Sequence, residues 1–184
     1  MSDLPRPVVV LSRALDQARA ALTTLDPSDL DRPTHCGSWT VRDLAGHLVA
    51  APEHFLQMAR GEGVDWSAPS AAPEDEWTES FRDGAERLVA HWAARAEDEA
   101  AQADWQSAEI GVHTWDLLRA TGHTMPLDPE VAERGLAFLH QGLTDENRGP
   151  AFGPAIAVPV DASPYDRLVA FAGRDPRVGG AVAQ

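Results

Sequence analysis

The sequence predicts an all-α protein, a four-helix bundle followed by additional short C-terminal helices. Four long segments carry apolar residues at the three- and four-residue steps of an amphipathic helix, and the alternating pattern of strands is almost absent. The 184 residues, 43% of them hydrophobic, are enough for one buried core, so a single domain over residues 1–184 is predicted. The facing helices of such a bundle can hold a ligand or a metal between them.

The first two predicted helices begin the bundle. Residues 8–25 form the first, and its apolar stripe consists of Leu11, Leu15, Ala18, Leu22 and Leu25. The second begins at Thr40 and runs to about Arg60, because Thr40 and Asp43 have the spacing of a capping box. Pro52 lies inside this helix and predicts a kink.

Two further long helices complete the predicted bundle. The third covers residues 74–97, and the acidic stretch 97–104 after it is interpreted as a solvated turn. The fourth covers residues 107–120 and ends before Gly122, because glycine suits the left-handed position that follows a helix.

The C-terminal third of the chain predicts shorter elements. Asp128 is placed to cap a short helix. Residues 149–160 are interrupted by proline and glycine and predict one short extended piece. Ser163 and Pro164 form a good N-cap and first position for a last helix through Phe171.

Charge and cysteine content restrict the function. The formal net charge is -14, and all 15 basic residues are arginine, so phosphate backbones and anionic membranes are disfavoured as partners. Cys36 is the only cysteine, which fits a reducing compartment. No signal-peptide pattern and no run of about 20 apolar residues is present, so the protein is expected to be cytoplasmic.

Three residues in two predicted helices suggest a metal site. Glu109 and His113 are four residues apart and share one helix face, and His47 lies among apolar residues of another helix. Two neutral imidazoles and one carboxylate form the ligand set of open zinc sites and of other first-row metal sites. On spacing alone, there is a competing interpretation, in which Glu109 and His113 are a solvated pair on a helix surface and His47 is a hydrogen-bonded core histidine.

The motifs around these residues are more specific. Residues 39–47 read W-x-V-R-D-L-x-x-H and residues 109–117 read E-x-x-x-H-x-W-D-L. In this order the two motifs resemble the DinB-like metalloprotein superfamily, in particular its branch with the N-terminal domain of mycothiol-dependent maleylpyruvate isomerase. The resemblance covers most of the chain, and it implies a DinB-like four-helix bundle with His47, Glu109 and His113 as the metal ligands.

The resemblance also implies a function. The metal would be zinc, with Ni²⁺ and Fe²⁺ as other choices, and it would activate a low-molecular-weight thiol such as mycothiol. The thiolate would then attack an electrophilic substrate, as in a thiol S-transferase or an isomerase. The isomerase carries a further C-terminal domain that this chain does not match, which argues against maleylpyruvate as the substrate. The resemblance leaves a homodimer open.

Two other functions compete with the thiol enzyme. A non-catalytic metal-binding or sensory protein would use the ion to hold helices together or to report on metal or thiol supply. A zinc metalloprotease has less support, because the H-E-x-x-H helix is missing and no glutamate neighbours His47.

Further residues near the motifs are weighed in two ways. Asp43 and Asp116 are spaced to hydrogen-bond a ligand imidazole, although Asp43 serves equally well as a helix cap. His54 either faces substrate above the metal or lies on the surface. Cys36 is either a fourth ligand or redox partner, or a small buried apolar residue. Four tryptophans are expected in the core, with one or two lining the pocket: Trp39, Trp77, Trp92 and Trp115.

Overall fold

The computed structural model describes residues 4–68, 70–148 and 152–178, and these residues form an all-α fold. They contain seven α-helices: α1 Arg6–Thr23, α2 Val41–Ala59, α3 Trp77–Ala93, α4 Glu97–Ala100, α5 Ala103–Thr121, α6 Pro129–Gly142 and α7 Pro164–Phe171. Within the described ranges, the only β-type pairing is an isolated bridge between Pro33 and Thr40. The predicted fold class is therefore confirmed.

The four long helices α1, α2, α3 and α5 form a four-sided bundle. Helices α1 and α2 each pack against α3 and α5, so that α1 and α2 lie diagonally across the bundle. Helix α6 packs along the outside of α5, and α7 closes the fold against α5 and α6. Across the part of the chain that the structure describes, no helix combines the length and apolarity needed to cross a bilayer.

Helix α5 is the central element, with neighbours on several sides and most of its residues buried. Small residues allow this crowding: a Cβ atom on Gly135 of α6 would lie only 3.0 Å from Ala108 of α5. The buried hydroxyls of Ser107 and Thr114 donate to carbonyl oxygens one turn back in the same helix, at 2.9 and 2.7 Å. These bonds let a partly polar helix cross the core without unpaired hydroxyl groups.

The predicted helix ends are largely confirmed. Asp128 and Ser163 cap α6 and α7 through side-chain hydrogen bonds, and Gly122 ends α5 with a φ of 77°. Helix α2 continues through Pro52, which packs against Gly84 of α3.

Two sequence predictions are wrong in detail. The acidic stretch 97–104 is not a turn: it contains α4, and α5 already begins at Ala103. Acidic residues in the first turn favour a helix because they face its positive end. In addition, residues 74–76 form a separate 3-10 turn, and α3 ends at Ala93.

The structure describes residues 152–160 of the segment 149–160, in which one short extended piece is predicted. Residues 152–160 contain no strand, and their contact with α7 includes one bond from the Ile156 amide to the Ala170 carbonyl at 2.9 Å. Residues 149–151 lie outside the described ranges. The prolines in this segment remove backbone donors, which explains why no ladder forms.

Candidate metal centre

The capping box at the start of α2 fixes where His47 enters the bundle. The Thr40 hydroxyl accepts a hydrogen bond from the Asp43 amide, and the Asp43 carboxylate accepts from the Thr40 amide at 2.9 Å. The hydrogen bonds that the Asp43 carboxylate accepts from the Thr40 amide and hydroxyl lower the pKa of Asp43. Asp43 thus caps the helix rather than contacting an imidazole, and His47 follows one turn later with 6% of its surface exposed.

His47, Glu109 and His113 meet in the core between α2 and α5. Glu109 Oε1 lies 3.3 Å from His47 Nε2 and 3.1 Å from His113 Nε2. One ligand atom from each of the three residues lies within 4.8 Å of the other two, which is close enough to share a metal ion. We call this group the Nε2 cluster. The two helices bring together the three residues that the sequence had singled out.

The charges of the Nε2 cluster are set by mutual contact. Burial alone would raise the pKa of Glu109, but the charge and hydrogen bond of His113 and the bond from His47 hold it well below the usual range. Burial would lower the pKa of His113, whereas Glu109 and the partners on its other ring nitrogen raise it. Glu109 is therefore a carboxylate across the whole physiological pH range.

Asp116 contacts the opposite side of the His113 ring, as its spacing in the sequence predicts. Its Oδ2 atom lies 3.2 Å from His113 Nδ1, and the side chain is fully buried. Burial would raise the pKa of Asp116, but the charge of Arg174 and the bond to His113 lower it to about 2. Arg174 Nη2 lies 3.1 Å from Asp116 Oδ2.

Arg174 is a site residue that sequence reasoning missed. It lies after α7, 58 positions from Asp116, and only 8% of its surface is exposed. The signal available in the sequence was Asp116 itself, since a buried carboxylate needs a positive partner. Fifteen arginines could have supplied that partner, and no spacing rule selects one of them.

Cys36 also lies on the Nδ1 side of His113. Its thiol donates to Asp116 Oδ2 at 3.0 Å, and its sulfur is 3.7 Å from His113 Nδ1. Cys36, His113 and Asp116 have ligand atoms close enough to share an ion. We call this second group the Nδ1 cluster. Cys36 thus approaches His113 from outside the Nε2 cluster, and its polar contacts distinguish it from a purely apolar filler.

His54 is buried, with 8% of its surface exposed, so its placement on the surface was wrong. Its ring meets Trp66 edge-on at a centroid distance of 5.3 Å. Its Nδ1 atom finds no hydrogen-bond partner among the described residues. Burial lowers the pKa of His54, and the nearby His47 lowers it further. His54 is therefore a neutral imidazole at physiological pH.

Aromatic rings surround the Nε2 cluster. Trp39 lies 5.0 Å from the His47 ring and 6.2 Å from the His113 ring, as centroid distances, and Trp66 lies 6.3 Å from His47. Trp105 extends this wall through an edge contact with Trp66 at 5.9 Å, and it also borders a small cavity beside Glu109. Trp66 and Trp105 were not predicted here, because Trp66 lies in a loop and Trp105 falls between the predicted acidic turn and the predicted start of the fourth helix.

Known proteins resemble the chain over most of its length. The family described as mycothiol maleylpyruvate isomerase N-terminal domain matches residues 11–126. Two proteins from different strains of Mycobacterium tuberculosis, "Uncharacterized protein Rv0738" and "Uncharacterized protein MT0763", are each 30% identical to it over 195 residues. These alignments cover 93% of this chain and 99% of each relative. No solved structure matches it significantly. The chain belongs to the mycothiol maleylpyruvate isomerase N-terminal domain family.

Proposed function

We propose that the protein is a metal-dependent enzyme that uses a low-molecular-weight thiol such as mycothiol. His47, Glu109 and His113 would hold a divalent cation through the atoms of the Nε2 cluster. The observation that carries the proposal is the convergence of these three ligand atoms in the core of a chain that belongs to a mycothiol-related family. The reaction would be a thiol S-transfer or an isomerisation of an electrophilic substrate.

The distances within the Nε2 cluster fit a small cation. For metal–ligand bonds of about 2.0–2.1 Å, tetrahedral ligands lie roughly 3.3–3.4 Å apart. The separations of 3.3 and 3.1 Å from Glu109 to the two imidazoles are close to this value. Two imidazoles and one carboxylate favour zinc and also accept Ni²⁺ or Fe²⁺, and they leave coordination positions for a reactant.

The surrounding residues prepare the ligands for this role. The Asp116 carboxylate accepts a hydrogen bond from His113 Nδ1–H, which keeps a proton on Nδ1, so that a cation displacing the Nε2 proton would find that lone pair directed at it. Glu109 is already a carboxylate, so it needs no deprotonation before binding. Trp39 and Trp66 limit water around the cluster, which strengthens the electrostatic attraction there.

The cation supplies the chemistry that these side chains lack. A divalent ion held by His47, Glu109 and His113 would act as a Lewis acid, which would lower the pKa of a thiol and favour the nucleophilic thiolate at neutral pH. Glu109 keeps 18% of its side-chain surface exposed, which is the side from which a reactant would approach. The neutral His54 lies beyond His47 along α2, where it would border an electrophilic substrate.

Metal content is the first test. Elemental analysis of freshly purified protein is expected to give about one divalent ion per chain, and His47→Ala and Glu109→Gln are expected to lose it. His140→Ala is the matched control, because His140 is exposed and contacts Phe171 rather than the cluster. Metal-free wild-type protein that takes up no added transition ion would refute the proposal.

Thiol dependence is the second test. Calorimetry should detect mycothiol binding to the metal-loaded wild type but not to metal-free protein, and a panel of electrophiles should include one that reacts only with thiol present. Protein that binds metal but neither binds thiol nor reacts would be a non-catalytic metal protein. Chelation separates the roles further, because a structural ion contributes its binding free energy to folding. We expect chelation to abolish activity with little unfolding.

A further inference from the structure

The Nδ1 cluster has the ligand atoms of a metal site, but a positively charged side chain already lies against it. Cys36 Sγ, His113 Nδ1 and Asp116 Oδ2 lie 3.0 to 3.7 Å from one another. A thiolate, an imidazole and a carboxylate are good ligands for zinc and for similar ions. On donor type and spacing alone, this cluster competes with the Nε2 cluster for the same metal.

Arg174 is the feature that separates the two clusters. Its Nη2 atom lies 3.1 Å from Asp116 Oδ2 and 3.9 Å from Cys36 Sγ, so its guanidinium sits against two members of the Nδ1 cluster. The Nε2 cluster contains no arginine or lysine among the contacts described for its three members. A guanidinium stays protonated at all relevant pH values, so this charge is permanent.

The backbone holds Arg174 in this position. Gly173 adopts a φ of 89°, which turns the chain back towards the bundle after α7. The Arg174 amide then donates to the Val169 carbonyl at 2.8 Å, and its Nη1 donates to the Ala172 carbonyl at 2.8 Å. These bonds keep the guanidinium from withdrawing into solvent to admit another cation.

We infer that Arg174 is a specificity-determining residue that takes the cation position of the Nδ1 cluster and thereby directs a divalent metal to the Nε2 atom of His113. The same charge neutralises Asp116, which remains a hydrogen-bond acceptor for His113 instead of becoming a ligand. The directing role rests on the proposed function. Exclusion of metal from the Nδ1 cluster does not, because it follows from the position of the guanidinium alone.

Cobalt(II) added to the metal-free full chain tests the inference, because cobalt bound to a thiolate gives a sulfur-to-metal charge-transfer band in the near ultraviolet. Wild-type protein with excess cobalt should show no such band. Arg174→Met keeps a long side chain without the charge and should gain the band. Adding Cys36→Ser to this variant should remove the band, and Arg174→Lys, which restores a positive charge, should prevent it.

The control is Arg177→Met, which removes an exposed arginine three residues away that pairs with Asp175, and it should behave as wild type. If circular dichroism shows that Arg174→Met is unfolded, Arg174→Gln replaces it. A charge-transfer band in wild type, or a folded neutral variant without one, overturns the inference. Wild type that binds no cobalt refutes the proposed function, whereas a band in Arg174→Met would still support the exclusion of metal by Arg174.

Discussion

His47 and His113 face the same Glu109 oxygen, yet they are held in different ways. The Nδ1 atom of His113 contacts a buried carboxylate that is itself bound by Arg174. The Nδ1 atom of His47 has no hydrogen-bond partner among the described residues, and its ring is held by helix α2 and by Trp39 and Trp66. One half of the candidate site thus depends on charges from distant parts of the chain, and the other half depends on local packing.

The largest effect is expected when the buried contacts on the His113 side of the site are removed. Asp116→Ala leaves the guanidinium of Arg174 buried without its carboxylate, and loss of one partner of a buried ion pair costs about 3–5 kcal/mol. We expect a decrease of this size in the free energy of unfolding of the metal-free protein, measured by urea denaturation. Asp43→Ala is the control on the His47 half and should cost only about 0.5–2 kcal/mol, as for a lost cap. Equal losses would contradict the comparison.

Replacing each histidine sharpens the contrast. His47→Gln and His113→Gln should both lose metal, because each removes a proposed ligand. Only His113→Gln disturbs the bonds to the buried Asp116, so in metal-free protein it should be less stable than His47→Gln by about 1–3 kcal/mol. Thermal unfolding in the presence of chelator measures this difference. The outcome that counts against the asymmetry is a pair of variants with the same melting temperature.

The two halves should also loosen separately when their helix caps are removed. Thr40→Ala and Ser163→Ala each delete an N-cap hydroxyl, and each should cost about 1 kcal/mol. Hydrogen exchange should then increase at the start of α2 in the first variant and in α7, next to Arg174, in the second. Exchange that rises equally in both helices in either variant would mean that the halves are coupled.

The smallest expected effect is a change in pH dependence. Burial lowers the pKa of His54 from its ordinary 6.5, so as the pH falls through this value the unfolded chain binds a proton that the folded chain resists. His54 therefore makes the protein less stable as the pH drops from 7 towards 5. His54→Gln should reduce the slope of the unfolding free energy against pH, measured by urea denaturation of the metal-free protein. A slope identical to that of wild type would show that His54 titrates normally.

The elements predictable from sequence were those with local signals. The capping box of Thr40 and Asp43 located α2, and the four-residue spacing of Glu109 and His113 placed both on one helix face. The motifs then linked them to His47, and the structure brings all three together. That they bind a metal remains a proposal.

The elements that were missed depend on contacts between distant positions. Arg174 reaches Asp116 only because α7 and the Gly173 turn deliver it, and no periodicity in the sequence encodes that path. Trp66 lies in a loop rich in glycine, serine and proline, where one aromatic residue gives no direction. The early start of α5 was overlooked because acidic residues were interpreted as solvated instead of as favourable at a helix beginning.

The position of Arg174 has a practical consequence for expression boundaries. The segment that matches the family ends at residue 126, and it contains all three proposed ligands. A fragment cut there would keep the two motifs but lose α6, α7 and the counter-charge of Asp116. Asp116 would then have no positive partner, and the face of α5 that α6 covers would be exposed to solvent. Reagents, crystals and activity assays for this protein should therefore use a chain that extends at least to residue 178.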